Sequence, residues 1–249
     1  AELIWNGLDA DATSVSVSFD HDALGTMSAV IVTDNGHGIP FSEALEGFRR
    51  LGGSWKRPGA VTKGEGRFLH GQEGRGRFKA FSLGRFAEWN VTYQKGTELW
   101  SFKITIDASN IREVRISDEK LAPAGSMLGV ALEITDLYKE HRSLTTETGL
   151  QELSEIFAPY LADYRATSIT VDTHQIDPDS VIAARHATNL ADLREGDQTY
   201  PVRLEIIEWR AMTNRALYLC NEKGFPLLPV ERRFHIGAFQ FSAYLKSSF

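Results

Sequence analysis

Residues Asp34-Asn35-Gly36-His37-Gly38 bring the apolar run Val30-Ile31-Val32 to an end. Two glycines in three positions break a strand, so the chain must leave a sheet here with a carboxylate at the strand end. Such a carboxylate can accept a hydrogen bond from an exocyclic amine. The flanking backbone can approach a flat base, because glycine has no Cβ. Taken alone, Asp-Asn-Gly is a common turn signal. Two further motifs flank it in fixed order. Glu2, Asn6 and Asp9 lie upstream at spacings i, i+4 and i+7, and Gly71-Gln72-Glu73-Gly74-Arg75-Gly76 lies downstream. The ordered set of three favours a binding pocket over a turn.

Charge sharpens that reading. The 249 residues carry a net −6, which offers no general attraction to nucleic acid or to an anionic membrane. Between Arg49 and Arg85, however, ten Lys and Arg face only Glu65 and Glu73, so this stretch carries +8 and the remainder −14. The same stretch is rich in glycine. It reads either as a solvated loop or as an anion-binding lid, in which basic side chains and free backbone N–H groups act together; the lid is the favoured reading. One cysteine, Cys220, excludes an internal disulfide and suits a reducing, cytoplasmic setting. No apolar run approaches the ~20 residues of a bilayer span. The chain opens without Met and directly within a helical pattern, so it is expected to be a fragment of a larger protein.

Periodicity outlines the architecture. Residues 1–10 read as a helix with Glu2, Asn6 and Asp9 on one face. Val15, Val17 and Phe19 alternate as in a half-buried strand, Asp22 to Gly25 supplies a turn, and Ser28–Thr33 returns as a strand. Ala44, Leu45, Phe48 and Leu51 mark a helix with Ser42 as its N-cap. Phe78–Leu83 opens another helix, and strands follow near 86–93, 98–107, 111–117 and 128–134. Helices and runs of strands without regular alternation predict an α+β sandwich, with helices on one face of a mainly antiparallel sheet. Beyond a polar boundary at Tyr138–Thr148, Leu150, Leu153, Ile156, Phe157 and Leu161 form a helical core stripe. Ile169–Val171, Val202–Ile207 and Ala216–Cys220 read as strands of a second unit, so the predicted domains are 1–140 and 141–249.

The motifs resemble those of the GHKL ATPases (gyrase B, Hsp90, histidine kinases, MutL). Glu2-Leu3-Ile4-Trp5-Asn6-Gly7-Leu8-Asp9-Ala10 looks like the N-box, and Asp34-Asn35-Gly36-His37-Gly38-Ile39 like the adenine-binding box. Leu51-Gly52-Gly53-Ser54-Trp55-Lys56 is similar to the lid entry of the Hsp90, MutL and MORC branches. Gly71 to Phe78 resembles the second glycine box, with Arg77 as an extra residue relative to the Hsp90 form. Gly125-Ser126, before the strand ending Ile134-Thr135-Asp136-Leu137, resembles the closing Gly-Thr motif, with Ser in place of Thr.

The resemblance implies a Bergerat-type α/β sandwich lacking its N-terminal segment, followed by a smaller transducer-like α/β domain. It implies ATP and Mg²⁺ as ligands. Glu2 matches the general base that polarises the attacking water, and Asn6 the Mg²⁺ ligand. Asp9 matches a position nearer the nucleoside, with a helix-end role as its close competitor. Asp34 is expected to accept from the adenine amine, with an ordered water shared with Ser126, and Gly36 and Gly38 to admit base and sugar; Ile39 is a further cofactor-binding candidate. Gly71, Gly74 and Gly76 are expected to hold phosphates by their backbone N–H groups, aided by the N-terminus of the next helix. Lys56, Arg75, Arg77 and Lys79 compete for phosphate contacts, with Lys79 preferred. Lys223 and Lys246 are candidates for a transducer lysine. The implied activity is slow ATP hydrolysis coupled to lid closure and homodimerisation, weak in this fragment, with a protein or DNA client left open. A histidine-kinase-like phosphotransfer domain and a nucleotide-sensing module without turnover are the alternatives.

Overall fold

The computed structural model describes residues 1–49, 62, 64, 76–210, 216–222, 226–230 and 240–249. It divides the chain into two compact units, one of Ala1–Leu153 with Tyr164–Ile176, the other of Ser154–Asp163 with Asp177–Phe249.

The first unit is built on one nine-stranded sheet. Its strands are β1 (Ser14–His21), β2 (Met27–Asp34), β3 (Gly84–Lys95), β4 (Glu98–Asp107), β5 (Val114–Ile116), β6 (Lys120–Leu121), β7 (Gly129–Leu137), β8 (Ser168–Val171) and β9 (His174–Gln175). They lie in the order β5-β4-β3-β7-β2-β1-β8-β9, with β6 also on β4. All pairings are antiparallel except that of β1 with β8. The mainly antiparallel sheet is therefore as expected. Ile169 and Val171, read from sequence as part of a second unit, instead extend this sheet beside β1; their alternation alone could not say which sheet they join.

Register explains the sandwich. Phe19, Val30, Ile134, Ala87 and Ile106 form one row across the strands, and Val17, Val32, Leu132, Trp89 and Ile104 the next. All ten are buried. The opposite face carries Ser16, Thr33, Asn90, Lys103 and Glu88, the last two paired at 2.6 Å. A period of two thus gives one apolar and one polar face.

The helical layer packs on the apolar face. Helix α1 (Glu2–Asp9) buries Ile4 and Leu8, and α2 (Phe41–Arg49) buries Ala44 and Phe48. Helix α2 starts at Phe41, so Ser42 lies inside its first turn rather than at the N-cap; Pro40 supplies the first accepting carbonyl, to Ala44 N. Phe41 meets Phe102 edge-on at 5.1 Å, and Phe48 meets Trp89 at 5.3 Å. The expected helix after the glycine-rich stretch is a tight 3-10 segment, Gly76–Ser82, whose Phe81 also lies against Trp89 at 6.5 Å. The elements on either side of the basic stretch therefore rest on one indole. After β7, the His141 imidazole Nε2 lies 2.8 Å from the Leu83 carbonyl, tying the polar boundary back to the start of β3.

Helix α3 (Glu147–Asp163) buries Phe157 and Leu161, but Ile156 is exposed and Ser154 and Ala158 take inward positions. The short α4 (Pro178–Val181) leads into the second unit. Its strands are β10 (Ile182–Asn189), β11 (Leu193–Glu195), β12 (Gln198–Tyr200), β13 (Val202–Trp209), β14 (Ala216–Cys220), β15 (Pro226–Val230) and β16 (Phe241–Ser247). Five form a sheet in the order β10-β13-β16-β14-β15, with β11 and β12 a separate ribbon. Ala158, Ile207 and Trp209 make its core. Buried Glu205 is held between Arg185 and Lys246, the lysine at 2.5 Å. Lys246 is thus committed to an ion pair, and Lys223 lies outside the described residues. No helix among the described residues is long and apolar enough to cross a membrane.

Because Phe48 and Phe81 share it, Trp89 should be the most sensitive position of the first unit. Trp89→Ala is expected to cost about 3–5 kcal/mol in urea unfolding and Trp89→Phe much less. A loss under about 1 kcal/mol for the alanine variant would contradict a shared anchor.

Candidate functional site

Asp34 ends β2 in an unusual place. Its row across the sheet reads Val15, Asp34, Val130, Val91 and Phe102, so register puts a carboxylate on the apolar face. Burial disfavours its charged form and raises the pKa above the ordinary 3.8. The backbone N–H groups of Gly36 and Val130 oppose that shift by donating to the carboxylate, the first at 2.9 Å, and His37 adds a smaller favourable field. The acid is held firmly while remaining poorly solvated.

Its surroundings depend on missing side chains. A Cβ at Gly7 would stand 2.8 Å from the Asp34 Cβ and 3.0 Å from Val15, so α1 lies directly against the strand end. A Cβ at Gly129 would stand 1.9 Å from the Asp34 carbonyl oxygen. The motif comparison assigned neither glycine. The signal for Gly7 was its cost, about 1 kcal/mol relative to Ala inside a helix, which only close packing would justify. Gly36 presses on the Ala10 carbonyl, and Gly38 takes φ +68° against β3, where a Cβ would meet the Thr92 carbonyl at 2.2 Å. The pentapeptide is thereby wedged between the end of α1 and the middle of the sheet. Ile39 follows it, half-buried.

Helix α1 presents the other candidates. Asp9 is buried, Asn6 half-buried and Glu2 exposed, in keeping with one helical face running from the interior toward solvent. The 3-10 segment Gly76–Ser82, which includes the exposed Lys79, packs against the helix bearing Glu2 and Asn6. As a short 3-10 segment it has little of the dipole expected of a full α-helix. Ser126 is half-buried in the turn before β7, its N–H donating to the Pro123 carbonyl. Lys56, Gly71, Gly74 and Arg75 lie outside the described residues.

A half-buried acid thus stands beside a helix that carries an amide and a carboxylate. Residues 1–136 match the family profile described as histidine kinase-, DNA gyrase B-, and HSP90-like ATPase. The chain belongs to this ATPase family. No curated protein gives a match. Membership brings with it ATP binding of the ATPase type, and family members bind ATP together with Mg²⁺.

The residues of this GHKL chain fit both ligands. A desolvated carboxylate with two N–H donors is a directed acceptor, and Gly7 keeps a Cβ away from the Asp34 side chain. Asn6 offers a neutral amide oxygen, a hard donor suited to a magnesium ion that keeps most of its other ligands as water and phosphate.

Asp34 also ties the site to stability. Its raised pKa means that the folded chain holds a proton more tightly than the unfolded one. That contribution is fully present below the ordinary 3.8 and is lost as pH rises through the folded value. Ligand-free Asp34→Asn should therefore unfold at higher denaturant than wild type at pH 7, with the gap closing as pH falls below 4. Equal midpoints at pH 7 would show that the carboxylate carries no such cost.

Proposed function

We propose that this chain is the nucleotide-driven part of a slow ATP-hydrolysing conformational switch. The observation that supports the reading best is the position of Asp34 on the apolar face of the sheet, beneath Gly7 and beside Gly36 and Gly38. A carboxylate there has no role in packing, whereas it would recognise the exocyclic amine of adenine. Ser126 and Ile39 complete the base site, with Asp9 on the nucleoside side.

In this reading Asn6 ligates Mg²⁺, whose charge neutralises the triphosphate. Glu2, one turn earlier and open to solvent, polarises the water that attacks the γ-phosphorus. In that step a bond forms from the water oxygen to phosphorus, the bond from phosphorus to the bridging oxygen breaks, and the water proton passes to Glu2. Gly71, Gly74 and Gly76 hold the phosphates by their N–H groups, with Lys79 the preferred cation and Lys56, Arg75 and Arg77 its competitors. Closure of the basic lid over ATP, dimerisation in the complete protein and action on a protein or DNA client follow from the same reading. It places the protein in the cytoplasm. The Glu four residues before Asn6 favours hydrolysis over phosphotransfer to histidine.

Two variants separate binding from chemistry. Asp34→Asn should weaken ATP by about 2 kcal/mol, roughly thirtyfold, in calorimetry with Mg²⁺ present. Glu2→Ala should bind ATP as wild type does yet lose about 10²–10⁴ in turnover. Unchanged affinity in the first variant removes the adenine assignment. Unchanged turnover in the second removes the general base.

A further inference from the structure

We infer that Asn35 is a positioning residue of the nucleotide site, its amide locking the Asp34 loop to the segment that leaves α1. Asn35 Oδ1 accepts from Thr13 N at 2.9 Å and from Ser14 N at 2.8 Å, and Asn35 Nδ2 donates to Thr13 Oγ1 at 2.9 Å. Three of the four hydrogen bonds open to an asparagine amide are thus made to two consecutive residues, by a side chain at the surface. The backbone repeats the connection, since Asn35 N donates to Ser14 O and His37 N donates to Ala10 O.

The position of this clamp gives it meaning. Asn35 directly follows Asp34, and the Asp34 carboxylate itself accepts from Gly36 N on the clamp's other side. Thr13 ends the short passage from α1, and Ser14 opens β1. That passage contains Asp11 in the left-handed region at φ +61°, a conformation that a non-glycine residue keeps only when its neighbours hold it. One amide therefore fixes both the base-recognising acid and the end of the helix that carries Asn6 and Glu2. The Asn35 amide meets the start of β1, beside the Val15 that faces Asp34 in register, and also holds Thr13, one residue before that strand. The sequence separation of 21–22 residues makes the clamp a tertiary feature rather than a local Asx turn.

The inference rests on the nucleotide reading of the site, so its test includes a control for that reading. The whole chain is titrated by calorimetry with Mg²⁺-ATP and with Mg²⁺-GTP as wild type, Asp34→Asn, Asn35→Ala and Asn35→Asp, and each is unfolded thermally without ligand. Asn35→Ala is expected to lose about tenfold in ATP affinity and to shift its ATP-over-GTP preference toward that of Asp34→Asn. Asn35→Asp keeps an oxygen for the Thr13 and Ser14 N–H groups and should retain most of that preference. Base preference is the deciding readout, because loss of stability alone would not change which base is favoured. A folded Asn35→Ala variant with wild-type preference overturns the inference, even if its affinity falls. If Asn35→Ala does not fold, Thr13→Val removes only the Nδ2 contact; a narrowed preference supports the clamp and an unchanged one overturns it. If wild type shows no preference for ATP, or Asp34→Asn matches wild type, the nucleotide reading falls and the inference falls with it.

Discussion

A carboxylate in the apolar row of a β-sheet is the constraint around which the first unit is arranged. Between Val15 and Val130, Asp34 cannot be left to find solvent, and it cannot be buried without donors. Among the described residues the carboxylate is met by backbone groups, the N–H of Gly36 and of Val130, with a smaller favourable field from His37. The acid is thereby oriented. Much else follows from this choice. Helix α1 can come close only because residue 7 is glycine, β7 can begin beside the acid only because residue 129 is glycine, and the loop can fold under α1 only because residue 36 is glycine. Burial of such an acid disfavours its charged form and so runs against stability at neutral pH.

Trp89 plays the complementary part on the same face. Phe48, at the end of α2, and Phe81, in the 3-10 segment, both lie against it. The basic stretch between them carries the charge attributed to phosphate contacts, and both elements that flank it are seated on a buried indole in the middle of β3. Aromatic edge contacts of this sort hold direction as well as area. The aromatic group also reaches outward, through Phe41, Phe102 and Tyr93, whose hydroxyl donates to Glu119.

How far the sequence revealed all this depends on the range of the interactions. Strands with a period of two and an amphipathic α1 are local patterns, and β1, β2, β3, β4 and β7 lie where alternation put them. The GHKL family was legible because its motifs are short and ordered, and residues 1–136 match it. Ser42 was misread because an N-cap preference is weak beside the placement of Phe41 on Phe102. The helix after the glycine-rich stretch proved to be a 3-10 turn, since Phe78, Phe81 and Leu83 do not reveal the pitch over so few residues. Ile156 has an apolar side chain and an exposed position, which no single-helix pattern distinguishes from its buried neighbour Phe157. The roles of Gly7 and Gly129 are visible only once register sets them against Asp34. The destination of Ile169 and Val171 was hidden for the same reason, because alternation predicts a strand and says nothing of its partner.

That last pairing changes what counts as the nucleotide-binding module. Ser168–Val171 lies parallel to β1 in the register Ser14↔Ser168 through Val17↔Val171, and covers the side of β1 that β2 leaves free. The motifs and the family match end near residue 136, yet the strand that completes the sheet arrives some thirty residues later. An excised module ending with the motifs would present the backbone of Val15 and Val17 as an open edge, ready to pair with any extended chain. During synthesis the same holds in time. The elements that carry the motifs can all be out of the ribosome while β1 still lacks its outer neighbour, so the folding chain is exposed to misassociation in the interval before residue 171 emerges.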